Sequence, residues 1–274
     1  MGARPEILLI NLDRSPDRLA FMTSQLERLG LPFTRLPGID GATISDAEFE
    51  RLADTYMRPM SRSELGCLKS HERAWQASVD QDKPILVLED DGFLSDRLPA
   101  FLADYAELDL DAVVNLETRG KKKWVSNKPM ASGPASGVSL LEMYVDRGGA
   151  AGYVVSPSVA RALLELAQTY AAPADAFINL SGVHLIQVEP GLVSEVFRGS
   201  DRELKLKPGF ISTMRAPGKT SVLSRAANWP KYKFRRFAGY LAASMRKVSV
   251  IGVGSKREIA ICPSILERAG NRSV

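Results

Sequence analysis

Pro84-Ile85-Leu86-Val87-Leu88-Glu89-Asp90-Asp91 sets a proline and four branched apolar residues directly before three carboxylates. A short, unbroken apolar run bounded in this way reads as a strand buried on both faces, the kind found in parallel sheets. Its carboxyl end carries Glu89, Asp90 and Asp91 out of the sheet, where open α/β folds bind ligands. Three adjacent acids repel one another and raise the cost of ionising each. A divalent cation removes that conflict, and hard oxygen ligands suit Mg2+ or Mn2+. A solvated acidic turn is the plainer reading of the same residues.

Upstream, residues 7–12 form the first expected strand, ending in Asn11-Leu12-Asp13-Arg14. Ser15-Pro16 follows as an N-cap with proline at the first helical position. Leu19, Met22, Leu26 and Leu29 recur at helical spacing, and Gly30 supplies the stop. With a second strand over residues 33–36 the chain opens β-α-β, which predicts a parallel pair with a right-handed crossover. Asn11 and Arg14 then sit at a strand's carboxyl end beside a helix N-terminus, a place suited to an anionic ligand. Arg14 and Arg18 serve equally as solvated charges on the first helical turn. Two arginines where the helix dipole favours acids tilt the reading toward an anion.

Ser61-Arg62-Ser63-Glu64 has the pattern of a capping box. The helix it opens carries Leu65, Leu68, Trp75 and Val79 on one stripe, with His71 on the same stripe and so facing inward, as a core residue or as a catalyst. Gly66 and Ser70 on adjacent turns permit close backbone approach. Beyond the acidic strand, Leu98, Phe101, Leu102 and Tyr105 mark a helix, and residues 112–116 a strand ending at Glu117. Residues 118–137, with Lys121-Lys122-Lys123-Trp124 at their centre, read as a long loop: a surface excursion, or a lid whose lysines meet phosphate. Residues 138–145 and 151–155 are expected strands flanking Arg147-Gly148-Gly149. Ser156-Pro157 opens another helix, residues 173–177 form a turn presenting Asp175, and residues 183–188 are the last clear strand, with His184 structural and without an evident partner.

The 274 residues are 45% hydrophobic and 25% charged, enough for one large domain or a domain with an appendage. No run approaches the roughly 18 apolar residues of a membrane span. The N-terminus leads straight into a strand without a signal-peptide pattern. Cys67 and Cys262 lie far apart and form no metal-type spacing, so they read as reduced thiols of a cytoplasmic protein. The net charge of +4 is uneven: residues 201–274 hold 16 Lys and Arg against 4 Asp and Glu, and no acid occurs between Glu203 and Glu258. Within this tail Phe234, Phe237, Leu241 and Met245 make an apolar helical stripe beneath a cationic face, which suits an anionic membrane surface. Basic residues among aromatics also occur in nucleic-acid binders, but no such motif accompanies them, so nucleic acid is not an expected partner.

Taken in order, five segments resemble the motifs of glycosyltransferase family 25, which includes bacterial lipooligosaccharide glycosyltransferases and collagen galactosyltransferases. They are Ile10-Asn11-Leu12-Asp13-Arg14-Ser15-Pro16-Asp17-Arg18, Glu64-Leu65-Gly66-Cys67-Leu68-Lys69-Ser70-His71, Leu88-Glu89-Asp90-Asp91, Gly152-Tyr153-Val154-Val155-Ser156 and Pro173-Ala174-Asp175. Leu19 and Gly92 depart from residues common in the family at those positions. The resemblance covers about residues 5–195 and fades in the tail. It implies an α/β fold of GT-A type, with a Rossmann-like, mainly parallel sheet flanked by helices. It also implies a UDP-sugar donor (galactose or glucose), inverting transfer to a hydroxyl, and an acidic motif in the role of a metal-binding Asp-x-Asp.

The expected division is a transferase domain over residues 1–200 and a basic, mostly helical extension over 201–274. The expected metal ligands for Mn2+ or Mg2+ are Asp91 and Glu89. Donor contacts are expected from Asn11, Arg14, Ser70, Glu89 and Asp90. Asp175 is the first choice of base for the acceptor hydroxyl and His71 the second. The expected acceptor is a glycan or glycolipid such as a lipopolysaccharide core, met at the inner face of the cytoplasmic membrane. A fold that binds a nucleotide sugar or a partner without catalysis is the alternative.

Overall fold

A computed structural model describes residues 4–108, 110–146, 148–195 and 229–271. In chain order its elements are β1 (Glu6–Asn11), α1 (Pro16–Arg28), β2 (Thr34–Pro37), α2 (Asp46–Leu52), α3 (Arg62–Gln81), β3 (Ile85–Glu89), β4 (Gly92–Leu94), α4 (Leu98–Glu107) and β5 (Val113–Asn115). There follow β6 (Lys122–Ser126), β7 (Ala131–Gly133), β8 (Val138–Val145), β9 (Gly152–Val155), α5 (Pro157–Ala167), α6 (Ala174–Leu180), β10 (Leu185–Glu189), β11 (Val193–Glu195), α7 (Trp229–Ser249), β12 (Gly254–Glu258) and α8 (Pro263–Asn271).

Ten strands form one sheet in the order β12-β6-β8-β10-β5-β9-β3-β1-β2, with β7 on β8. The acidic strand lies inside it, parallel to β1 and antiparallel to β9, and Ile85 to Leu88 have no solvent exposure. Side-chain alternation sends Leu86 and Leu88 to a layer built by α1, α4 and α8, and Ile85 and Val87 to one built by α3, α5 and α6. The strand is apolar at every position because both its faces are covered. The expected β-α-β opening is present, since β1 and β2 pair in parallel with α1 between them. The sheet as a whole is mixed: β9 runs antiparallel between β3 and β5, and β8 antiparallel to both β10 and β6. Among the described residues, only between β7 and β8 does a short connection join antiparallel neighbours directly, without a crossover helix. Because β9 reverses between them, β1, β2, β3, β5 and β10 share one direction, and their carboxyl ends lie along one edge.

Four local readings are corrected. Residues 118–137 are not a lid but contain β6 and β7, and Lys123 is buried, its Nζ 2.7 Å from both Asp146 and Gln187 Oε1. Residues 173–177 open helix α6 rather than forming a turn. His184 has a partner, its Nε2 2.8 Å from Glu142 on the neighbouring strand. At both Ser-Pro helix starts the serine holds the N-cap position without a side-chain cap bond: Ser156 Oγ donates to Asp111 instead, and at Ser15 the backbone carbonyl accepts from Asn11. The Ser61–Glu64 capping box is formed as expected.

Of the basic tail, residues 201–228 lie outside the described residues, as does Arg147. Past them, β12 adds to the edge of the sheet, Arg257 forms a two-pronged pair with Glu189 at 2.5 and 2.6 Å, and Cys262 and Ile265 join the core. The expected amphipathic helix is α7. Its Lys231 and Tyr232 reach Asp54, and Arg235 donates to the carbonyls of Asp54 and Tyr56. No described helix is long and apolar enough to cross a membrane.

Candidate functional site

Alternation along β3 continues into its acidic end and deals the carboxylates to different layers. Glu89 points to the α3 side, where its Oε1 meets His71 Nε2 at 3.2 Å. Asp90 points to the α1 side, where it accepts from Asn11 Nδ2 at 2.7 Å and pairs with Arg18 at 2.9 Å. Asp91 pairs with the same guanidinium through Oδ2. Gln25 of α1 steadies the strand that follows by donating to Gly92 O at 2.9 Å and accepting from Leu94 N at 3.0 Å. The acidic turn is therefore clamped on both flanks.

Asn11, Arg18, His71 and the three carboxylates line one open cleft at the carboxyl edge of the sheet, together with Arg14, Ser70, Cys67 and Gly38, Ile39 and Gly41 of the loop over residues 38–41. Gly66 lets that loop lie against α3: a Cβ there would stand 2.6 Å from Ile39 O and 2.8 Å from Gly41 N. Ser70 Oγ pins the loop by accepting from Ile39 N at 2.8 Å while donating to Gly66 O at 2.7 Å.

Seven of the eight expected site residues, Asn11, Arg14, Ser70, His71, Glu89, Asp90 and Asp91, thus meet in one place. Their roles differ from the expectation in detail. Both amide hydrogens of Asn11 are engaged, by Asp90 and by Ser15 O at 3.0 Å, and its Oδ1 accepts from Arg35 Nε at 3.1 Å. Asn11 holds Asp90 in place, and Ser70 holds the loop. Arg14 is half-exposed and pairs with Asp40. Asp175 is not among the residues lining the cleft. It sits in the first turn of α6, its Oδ1 accepting from its neighbour's Ala176 N at 2.7 Å, with Oδ2 3.5 Å from where a Cβ on Gly148 would be.

Burial raises the pKa of Glu89 well above the ordinary carboxylate value, with Asp91 and Glu117 adding repulsion. Burial also raises Asp90, against the pull of Arg18 and Asn11, and it raises Asp175. His71 has no solvent exposure, and burial lowers its pKa to about 4, so the ring is neutral near pH 7. Trp75 Nε1 donates to Tyr153 Oη at 2.8 Å, and Tyr153 Oη lies 2.9 Å from His71 Nδ1. With the tyrosine hydroxyl donating to Nδ1, the imidazole proton sits on Nε2 and faces Glu89, so every donor in the chain is used.

Three contributors had no place in the expected site list, although Arg18 was one of the two arginines read toward an anion. Arg18, one helical turn beyond Arg14, supplies positive charge to Asp90 and Asp91, part of the role first given to a cation. Glu117, fully buried, accepts from Ala151 N at 2.7 Å and pairs with Arg119. The signal was present: Glu117 ends an apolar run as Glu89 does. The contact of Tyr153 with His71 could not be found from spacing, because it depends on β9 lying next to β3 on the face that α3 covers.

In kind, two carboxylates on one cleft suit a hard divalent cation. Asp91 Oδ1 is buried and has no hydrogen-bond partner among the described residues, while Glu89 offers a second carboxylate on the same cleft.

The layered α/β sheet is compatible with a Rossmann-like fold, and its acid-lined cleft lies at the carboxyl ends of the strands, the edge where such folds bind ligands. Residues 4–178 match glycosyltransferase family 25 (LPS biosynthesis protein), and the chain belongs to that family. It is similar to a glycosyltransferase 25 family member of Aedes aegypti, 37% identical over 95 residues, 31% of this chain and 16% of the relative. It is also similar to procollagen galactosyltransferase 1-B of Xenopus laevis, 29% identical over 175 residues, 58% of this chain and 28% of the relative. Procollagen galactosyltransferase 2 of Homo sapiens is 31% identical over 96 residues, 31% of this chain and 15% of the relative. The chain thus spans under a third of the length of these curated relatives.

Proposed function

We propose that the chain is an inverting, metal-dependent hexosyltransferase of GT-A type that moves galactose or glucose from a UDP-sugar to a hydroxyl of a glycan acceptor. The acceptor class we infer is a lipopolysaccharide or lipooligosaccharide core, or a related glycolipid. Family membership and the galactosyltransferase names of the relatives support the reaction class. The observation that carries the metal role is the buried Oδ1 of Asp91, without a hydrogen-bond partner among the described residues, on a cleft that Glu89 also lines.

Mn2+ or Mg2+ on Asp91 and Glu89 would supply positive charge to the departing diphosphate. Arg14, half-exposed on the cleft wall, is placed to meet phosphate oxygens from the protein side. Arg18 and Asn11 keep Asp90 in position, and neutral His71 keeps Glu89 turned toward the cleft. Asp175 is the proposed base, from α6 outside the cleft lining but near enough for its charge to act on His71 and Cys67. Burial raises its pKa toward neutrality, the direction that makes a carboxylate a better proton acceptor. His71 is the weaker candidate, since both ring nitrogens face partners and its pKa is lowered to about 4.

Hydrolysis of a panel of UDP- and GDP-sugars with Mn2+, by wild type and by Asp91→Ala, tests this. Turnover of one UDP-hexose, lost in a folded Asp91→Ala protein, is the expected result. Unchanged activity in the variant removes the metal role. UDP binding without turnover of any donor supports the non-catalytic reading instead.

For the tail we infer attachment to an anionic membrane surface, which would place the enzyme on the inner face of the cytoplasmic membrane. Helix α7 supports this with Phe234, Phe237, Leu241 and Met245, which are 72%, 65%, 52% and 65% exposed, on a helix that carries lysines and arginines but no acid. Co-sedimentation with phosphatidylglycerol vesicles is the test. Binding should fall with added salt and in Phe237→Glu/Leu241→Glu, and salt-independent sedimentation would sink the idea.

A further inference from the structure

The cleft holds a second set of ligand atoms that differs in chemistry from the acidic turn. Cys67 and His71 stand four residues apart on α3, so their side chains share one face. That face looks at Glu89 on the end of β3. The Cys67 sulfur, a ring nitrogen of His71 and a carboxylate oxygen of Glu89 all lie within 4.8 Å of one another, and all three residues line the cleft. Cys67 is a free thiol.

We propose that Cys67, His71 and Glu89 bind a borderline-soft divalent cation, Zn2+ above all. A thiolate, an imidazole and one carboxylate are poor partners for Mg2+ but together match zinc, and three protein ligands leave a fourth position open to the cleft. The support behind the ligands is also present. Coordination through Nε2 puts the ring proton on Nδ1, which then donates to Tyr153 Oη, 2.9 Å away, itself held by Trp75 at 2.8 Å. Neither Asp91 nor Arg18 belongs to the set. Glu89 is common to this site and to the proposed hard-metal site, so a soft cation competes with Mn2+ or Mg2+ for it. The two sites are separable, because one requires a sulfur ligand and the other does not.

The test uses the full chain, freed of metal and kept reduced with a non-thiol reductant, titrated with Co2+ as a spectroscopic substitute for Zn2+. The expected result is a near-ultraviolet thiolate-to-cobalt band that saturates at one equivalent and is displaced by Zn2+. Cys67→Ser abolishes the band, while Cys262→Ala and Asp91→Asn retain it. Tyr153→Phe weakens Co2+ binding about 10-fold. No band at one equivalent of Co2+, or a band that survives Cys67→Ser, overturns the proposal. Should Cys67→Ser fail to fold, alkylation of wild-type Cys67, read by peptide mass spectrometry, decides. Equimolar Zn2+ but not Mg2+ must slow it at least about 10-fold, and equal rates with and without Zn2+ refute the site. None of these readouts depends on sugar transfer, so the outcome is independent of the transferase reading.

Discussion

Replacing Arg18 with alanine leaves Asp90 and Asp91 without the guanidinium that now joins them. The pair is largely enclosed: side-chain exposure is 12% for Arg18, 10% for Asp90 and 31% for Asp91. Deleting one partner of a fully buried pair costs about 3–5 kcal/mol, because a charge stays behind in low dielectric. Asp91 still meets solvent in the cleft, so a discounted loss of about 2–3 kcal/mol is expected. That is a large share of a typical domain stability of about 5–15 kcal/mol. The pH dependence follows in sign. Burial already raises the pKa of Asp90, and Arg18 opposes the rise, so removing Arg18 raises it further. A carboxyl whose folded pKa lies above its unfolded one is least costly when protonated, below the unfolded value, and burdens the fold as pH climbs. The deficit of Arg18→Ala is therefore greatest near pH 7 and shrinks as pH falls toward about 4. Urea unfolding of wild type and variant at several pH values, with EDTA present, measures it. Asp90→Asn in the Arg18→Ala background should recover about half of the loss, as expected for side chains in contact. A deficit under about 0.5 kcal/mol, or one that does not change with pH, would show that the guanidinium does not carry the charge balance of this turn.

Three further outcomes are open to measurement. Gly66→Ala pushes a methyl into the backbone of the loop over residues 38–41 and should cost about 1–3 kcal/mol in urea unfolding; a neutral effect would mean that the loop is not seated on α3. Leu88→Ala, at a position with no solvent exposure in the sheet centre, should cost about 2–5 kcal/mol by the same assay. Glu89→Gln keeps an oxygen acceptor for His71 while removing a carboxylate whose pKa is raised by burial and by Asp91 and Glu117. In metal-free buffer the variant should be more stable than wild type at pH 7. The gain should fade as pH drops toward the ordinary glutamate value of about 4.3, and a gain that persists unchanged at acid pH contradicts the assignment.

Much of the architecture was legible because its causes are local. An unbroken apolar run ending in acids can bury both faces only inside a covered sheet, and β3 does so. Proline at the first turn placed the starts of α1 and α5, and the Ser61–Glu64 box placed that of α3. The errors fall where structure depends on distant partners. Lys122 to Ser126 look like loop by composition, yet they form a strand because β8 on one side and β12, more than a hundred residues on, complete their ladder. Lys123 is tolerated inside only because Asp146 and Gln187 surround its ammonium.

The primary structure by itself determined the layered α/β fold, the acidic strand end and the family, since periodicity and motif order are properties of the chain read in one dimension. The tertiary structure decided which carboxylate does what. Glu89 and Asp90 are neighbours in sequence and equivalent in composition, yet the two-residue alternation of a strand turns one toward His71 on α3 and the other toward Arg18 on α1. Only the packing of helices on both faces of the sheet gives those directions different partners, and the partners set each acid's charge and role.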